Sequence, residues 1–334
     1  MSAGSIPKLQ HYVPRFLLRR FGTGKKDHLY VFDKHKDSVF TCAANKLASE
    51  NGLYDFEFQG YPLTIEPSLA GLESRAATHI RRIVDERQLH PMDPVERGEL
   101  ARFFAVQLVR TRACLETMRH LGSSMETWLR KEGAPDDFFA TDLAIGSGEN
   151  AERASLARMI CNAPKDFAPA IVGKDWVLLQ TDRKHPYLIG DNPLSMHNMI
   201  DHSPRGSRGL MVEGIEIYFP LAPDLALGMW CPSHREKLLE GIQRLDRLTD
   251  NNPSAAGRFA GAWSNALDIV EAIKTGKPLR SLPENVEHFN SLQVSSAERF
   301  VFSSNGDFAL VEDMIRTNPE LRHGRRIHEA TGKF

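Results

Sequence analysis

Gln10-His11-Tyr12-Val13-Pro14-Arg15-Phe16-Leu17-Leu18-Arg19-Arg20-Phe21 gathers one histidine, three arginines and six large apolar or aromatic residues around a single proline. Proline has its φ fixed and lacks an amide proton, so it suits a first helical turn and biases the preceding residue toward extended chain. The stretch therefore reads as extended His11-Tyr12-Val13 running into a helix that starts at Pro14. Phe16, Leu17 and Phe21 fall on one side of that helix, with Arg15 and Arg19 four apart on the other. His11 lies just outside it, placed to face a cleft. A docked helix with solvated arginines and a hydrogen-bonded histidine accounts for this pattern. So does an anion or phosphate site on His11 and Arg15, since guanidinium pairs bidentately with phosphate oxygens.

Outward from this helix, His28-Leu29-Tyr30-Val31-Phe32-Asp33 and Ser38-Val39-Phe40-Thr41 read as paired strands, and Gly52–Glu57 as a third. Thr64–Gln88 carries the apolar stripe Leu69, Leu72, Ala76, Ile80, Ile83 and Val84, with Pro67 in the first turn of a helix. Asp93-Pro94-Val95-Glu96 has the form of a capping box, and opens a long helix expected to reach Arg119. Trp128-Leu129 belongs to a helix, Ala134–Asp137 and Gly146–Gly148 to loops, and Ala151–Asn162 to a further helix. Asp175–Gln180 and Pro186–Ile189 read as a β-hairpin, followed by a turn at Gly190–Pro193 and a polar, mobile loop over His197–Gly209. Ile215–Leu221 and Ala226–Trp230 extend the sheet. Helices are expected at Arg235–Leu245, Ala255–Thr275 and Glu284–Glu298, with a last strand at Phe300–Phe302. The expected class is α+β, mainly helical with a central, mostly antiparallel small sheet, since strict βαβ alternation is missing. One domain is expected over 1–316, with a helical and β N-terminal half at 1–165 and a β-containing half at 170–303. A basic, frayed tail at 317–334 follows.

Lysine plus arginine is 42 against 43 aspartate plus glutamate, so net charge does not select a polyanionic partner. Cys42, Cys114, Cys161 and Cys231 are far apart and form no CxxC pair, which disfavours a zinc site or disulfide framework and fits a reducing cytoplasm. No apolar run has the length of a signal peptide or a membrane span, so a cytoplasmic protein with no membrane partner is expected. Phosphate-loop, dinucleotide-fingerprint, H-E-x-x-H and G-x-S-x-G motifs are missing, and the histidines lack metal-ligand spacing.

Polar residues interrupt two apolar faces. At 100° per residue, Gln107 and Thr111 sit inside the Leu100, Phe103, Phe104 and Leu108 stripe, and Arg110 at its edge. Asn290 and Gln293 share a face with Val286, Phe289 and Val294. A buried amide costs a few kcal/mol unless partnered, so these residues either hold neighbouring elements or wall a polar pocket. Asp191-Asn192 closes a strand, where a carboxylate can act as base or metal ligand, or simply form an Asx turn before Pro193.

The residues at these interruptions resemble the bacterial family known as domain of unknown function 4238. The resemblance rests on Gln10–Phe16 with the following Leu-Arg-Arg-Phe, and on Gln107–Thr111. It continues through Leu188-Ile189-Gly190-Asp191-Asn192-Pro193, Phe219–Pro223, Phe289–Gln293 and Arg299–Phe302. Gly190 stands where that pattern leads one to expect serine. The resemblance implies one domain over nearly the whole chain and carries no established activity.

Three functional readings follow from the residues. The first is an enzyme acting on a phosphate-bearing substrate, a nuclease or nucleotide-modifying effector. In it His11 and Asp191 are catalytic, Arg15 and Arg110 hold phosphate, and Gln107, Asn192, Asn290 and Gln293 complete the substrate site. A divalent cation, Mg or Mn, could serve it through Asp191, and a nucleotide or nucleic acid would be the partner. The second is a non-catalytic module that binds a nucleotide-like signal. The third is a polar network that only fixes helix packing.

Overall fold

In the computed structural model, which describes residues 8–135, 148–200, 208–251 and 256–324, the chain enters as β1 (Leu9–His11) and turns at Pro14 into α1 (Arg15–Phe21). Leu17, Leu18 and Phe21 bury one face of α1, while Arg15 and Arg19 stay exposed. The chain continues through β2 (His28–Asp33), β3 (Ser38–Ala43), β4 (Ser49–Asn51), β5 (Asp55–Phe58), β6 (Tyr61–Thr64) and α2 (Glu66–Glu86). Then come α3 (Pro94–Val109), α4 (Arg112–Lys131), α5 (Glu149–Asp166), α6 (Ala168–Val172), β7 (Asp175–Gln180), β8 (Ile189–Gly190) and β9 (Ser195–Asn198). The last elements are β10 (Ile215–Ala222), β11 (Leu225–Trp230), α7 (Pro232–Asn251), α8 (Ala256–Thr275), β12 (Leu279–Arg280), α9 (Pro283–Ser296), β13 (Phe300–Ser303) and α10 (Ala309–Thr317). The fold is α+β, with several small, mostly antiparallel sheets.

The five-stranded sheet, in the order β12-β7-β11-β10-β9, is covered on both faces. Period-two alternation divides its side chains. Trp176, Leu178, Ile217, Phe219, Leu227 and Met229 join the large core with α1, α3 and α6, while Val177, Leu179, Tyr218 and Ala226 meet α8 and α9. Phe104 anchors the first core, with ring centroids 5.0 Å from Phe219 and 5.8 Å from Trp176. In the four-stranded sheet, β3-β2-β13-β8, the C-terminal strand β13 lies between the N-terminal β2 and β8. Its Val301 face packs on Leu188, Val294 and α10.

Four expectations are corrected. The long helix does not reach Arg119: α3 ends at Val109, and α4 starts after Thr111. Thr111 is extended, and its Oγ1 accepts the Cys114 amide at 3.4 Å as the cap of a new helix, while also donating to Asn192 Oδ1 at 3.2 Å. The apolar stripe runs on through the break, which hid it. Nor do 175–180 and 186–189 form a hairpin. The turn is made, with Asp182 Oδ1 accepting from the Lys184 and His185 amides at 2.9 and 3.1 Å. The chain then leaves: β7 pairs with β11 and β12, whereas β8 pairs with β13 in the other sheet. Asn290 takes the place of a strand here, accepting from Leu188 N at 2.7 Å and donating to Pro186 O at 3.0 Å.

The third correction concerns the strand expected at Gly52–Glu57, which begins only at Asp55 because Gln10 Oε1 takes the Tyr54 amide at 2.6 Å. The fourth concerns His197, which lies in β9, paired with Glu216, rather than in a loop. The rest of that loop, at 201–207, lies outside the described residues, as do 136–147 and the tail from 325 onward. The earlier part of the tail is attached: Arg322 donates to Lys34 O at 3.2 Å and to Asp37 Oδ2 at 2.8 Å. No helix among the described residues is long and apolar enough to cross a membrane.

Candidate functional site

The residues singled out in the sequence fall into two clusters joined by a hydrogen bond between Thr111 and Asn192. In the first, β1 pairs with β4 and places Gln10 and His11 over the end of α3. Gln10 spans Asp55 and Tyr54, donating to Asp55 Oδ1 at 2.7 Å. Arg110 is 1% exposed, and each of its three guanidinium nitrogens donates a hydrogen bond. Nη1 donates to Glu73 Oε1 at 2.7 Å, Nε to the Tyr54 hydroxyl at 3.3 Å, and Nη2 to the His11 carbonyl. Burial opposes the charge of Arg110, but Tyr54 and Glu73 outweigh it and hold its pKa above the ordinary value. Burial pushes the Tyr54 hydroxyl up to about 12. Gln107, fully buried, donates to the Tyr12 carbonyl at 2.9 Å, and its Oε1 has no partner among the described residues.

His11 itself is half-buried, with Nε2 enclosed and without a hydrogen-bond partner among the described residues. Burial lowers its pKa; Glu73 and a bond to the Asn45 backbone pull it up, and Arg110 and Arg15 push it down. At neutral pH it is an uncharged imidazole able to accept a proton. The Glu66 carboxyl, which like His11 feels Glu73 and Arg110, is raised by burial and by Glu73. Arg15 is exposed, with no ion pair or hydrogen bond among the described residues. A folded-state pKa depressed below the ordinary ~6.5 means that His11 contributes stability above that pH, lost as pH falls through the folded value. Between about pH 7.5 and 5 the urea midpoint of the wild type is therefore expected to fall more than that of His11→Gln. Equal falls would show that His11 titrates as in the unfolded chain.

The second cluster surrounds the end of α9. Asp191 is 1% exposed, and three backbone amides donate to it: Glu298 N to Oδ1 at 2.7 Å, and Arg299 N and Phe300 N to Oδ2 at 2.9 and 3.0 Å. Burial pushes its pKa up to about 6, while these amides and the nearby Lys34 ammonium draw it back. Asn192 accepts from Thr111 and donates to Ser296 O at 3.1 Å, joining the two clusters. Gln293 accepts from Gly190 N at 3.0 Å and donates to Pro193 O and Ser195 Oγ at 2.9 and 3.1 Å. A Cβ at Gly190 would lie 3.0 Å from Ala297 Cβ and 3.1 Å from Gln293 O, so the missing side chain permits this close approach. Gln107 and Asn290 do not bond one another. Asn192, Asn290 and Gln293 are spent on neighbouring residues, chiefly backbone.

What they hold in place is the wall of a cavity. By clamping 186–188, Asn290 sets Tyr187 against Phe289, with ring centroids 4.6 Å apart, and Tyr187 donates to Ser281 Oγ at 2.7 Å. This wall bounds a cavity of about 580 Å³ between the β7–β11–β10 face, α7, α8 and α9. Tyr187, Tyr218, Trp230 and Phe289 supply an aromatic side. Lys237, Arg280, His234 and His288 supply cationic or proton-donating groups around it. Glu216 is the one carboxylate of the lining among the described residues, held by the Tyr218 hydroxyl at 2.9 Å and facing His234 at 3.6 Å. Arg280 is exposed and has no ion-pair partner among the described residues. Gly228 opposite Tyr218 makes room for the Trp230 ring: a Cβ there would lie 2.8 Å from Trp230 Nε1.

Sequence reasoning missed this cavity. Tyr218 and Trp230 read as strand residues in the sequence, and nothing in it singles out Lys237 or Arg280. One signal was legible: Tyr218 and Trp230 fall on the opposite period-two face from Ile217, Phe219 and Met229, so a second covered face was implied.

The profile of the family described as "Protein of unknown function (DUF4238)" matches residues 9–307, and the chain belongs to that family. No curated protein and no solved structure shows a significant match.

Proposed function

We propose that this member of a family of unknown function binds a phosphate-bearing, nucleotide-like small molecule in the cavity between the five-stranded sheet and α7–α9. The observation that carries this reading is the pairing of an aromatic wall with Lys237 and an Arg280 guanidinium that lacks an ion-pair partner among the described residues. An aromatic base stacks on Tyr or Trp faces, and guanidinium and ammonium groups take phosphate oxygens. At about 580 Å³ the cavity lies within the ~300–1,000 Å³ of small-molecule sites.

Titration calorimetry with adenosine and guanosine mono-, di- and triphosphates tests it. The wild type is expected to bind at least one of them, and Arg280→Ala and Lys237→Ala each to weaken that binding about tenfold, equivalent to ~1.4 kcal/mol. Binding that both variants retain unchanged, or no binding by the wild type, would sink the assignment.

A catalytic version, a nuclease or nucleotide-modifying enzyme, is favoured by one observation: the neutral, partly enclosed His11 with an unpartnered Nε2 and the exposed Arg15 nearby. In that version His11 is the base and Arg15 the phosphate contact. Arg110 holds the His11 carbonyl in this version, and Asp191 is spent on the backbone amides of residues 298–300. Turnover of nucleotides and single-stranded RNA or DNA, with and without Mg²⁺ or Mn²⁺, should then vanish in His11→Ala. Turnover that survives this substitution removes the catalytic version.

A further inference from the structure

We infer that His35, Glu298 and His323 form a binding site for a divalent transition-metal ion of the zinc class. The nearest ligand atoms of the three side chains all lie within 4.8 Å of one another, and the two imidazoles face each other with centroids 4.5 Å apart. Two imidazole nitrogens and one carboxylate are a donor set that suits Zn²⁺, Co²⁺ or Ni²⁺, and suits Mg²⁺ poorly because Mg²⁺ prefers oxygen. With metal–ligand bonds of about 2.0–2.2 Å, tetrahedral ligands stand roughly 3.3 Å apart. Closure therefore requires side-chain movements of about an ångström. His35 and His323 are exposed and can rotate to supply them, while Glu298 is buried with one carboxylate oxygen within 4.8 Å of both.

The three residues come from distant parts of the chain, and each backbone is independently held. His35 sits in the β2–β3 turn, where Asp33 Oδ1 accepts its amide at 3.1 Å. Glu298 follows α9, with its amide on Asp191 Oδ1. His323 ends the 3₁₀ turn Pro319–Arg322, which Arg322 fastens to Lys34 O and Asp37 beside His35. Of the cations nearby, Arg299 pairs with Asp33 through contacts of 2.7 and 3.0 Å, and the Lys34 ammonium donates to the Val294 and Ala297 carbonyls at 2.7 and 2.6 Å. A metal here ties the segment after α10 to the β2–β3 turn. Three protein ligands also leave a coordination position open to water or to an exogenous donor. The histidines are 288 residues apart in sequence, so no ligand spacing announces the site.

The test uses the full chain, stripped with chelator and titrated with Zn²⁺ alone and with Co²⁺ alone, Mg²⁺ serving as control. One ion per chain, a Co²⁺ visible absorption band and a rise in Tm on addition of Zn²⁺ are expected, with no response to Mg²⁺. His35→Ala and His323→Ala, both at exposed positions, are each expected to weaken Zn²⁺ binding by roughly tenfold or more. Glu298→Gln, which keeps the buried shape, is expected to do the same. No binding by the wild type, or Zn²⁺ affinity and Co²⁺ spectrum unchanged in His35→Ala/His323→Ala, would overturn the site.

Discussion

Asp191→Ala is expected to lower the unfolding free energy by about 3–5 kcal/mol, the range for stripping a buried charge from its partners. The side chain accepts from three backbone amides across the junction between α9 and β13, at 2.7, 2.9 and 3.0 Å. Each is a charge-assisted bond worth about 1.5–3 kcal/mol in place, and each donor is left without an acceptor by alanine. The same junction carries the Lys34 ammonium, which donates to the Val294 and Ala297 carbonyls at 2.7 and 2.6 Å at the C-terminal end of α9. A cation there complements the helix dipole, and the Asp191 carboxylate lies close enough to balance its charge. Loss of Asp191 therefore also removes one favourable charge interaction of Lys34. Chemical unfolding at neutral pH measures the effect. A loss below about 1 kcal/mol would mean that water reaches the three amides once the carboxylate is gone. Any loss of activity in this variant must be read against its stability.

Arg110→Ala is expected to cost a similar amount, about 3–5 kcal/mol, for a different reason. Its guanidinium bridges Glu73, Tyr54 and the His11 carbonyl, so it fastens α2, the residues before β5 and the N-terminal β1 to the end of α3. Alanine leaves a cavity, a Glu73 carboxylate whose side chain is only 23% exposed, and a carbonyl stripped of its donor. Arg110→Lys separates charge from geometry. A single ammonium keeps the positive charge beside Glu73 but cannot reach all three acceptors as a planar fork does, so only part of the loss should be recovered. If lysine restores full stability in urea unfolding, charge alone explains the arginine. If alanine is tolerated, the bridge is dispensable and His11 is held by β1–β4 pairing instead.

The candidate residues were legible as interruptions. Gln107, Arg110, Asn290 and Gln293 stand out because an apolar helix face has no cheap place for an amide or guanidinium, and each is indeed buried and hydrogen-bonded. Their partners were not legible. Asn290 meets Pro186 and Leu188, and Asp191 meets Arg299, 108 residues away, through backbone groups that every sequence presents alike. A hydrogen bond to a main-chain amide leaves no mark on the residue that supplies it. For the same reason the cavity walls passed as ordinary strand and helix residues.

From the order of amino acids alone came the elements whose causes are local. Pro14 starts α1 because its φ is fixed, Asp93 opens α3 because its carboxylate accepts the Glu96 amide at 2.8 Å, and β2 and β3 pair across a short turn. The α+β class follows from those periods. Only the tertiary structure decided that β8 joins β13 rather than β7, that the long apolar stripe breaks at Thr111, and that His35, Glu298 and His323 converge. These depend on contacts between residues tens to hundreds of positions apart, set by tertiary packing rather than by local pattern. Periodicity reaches only a few residues along the chain, so it holds no information about that choice.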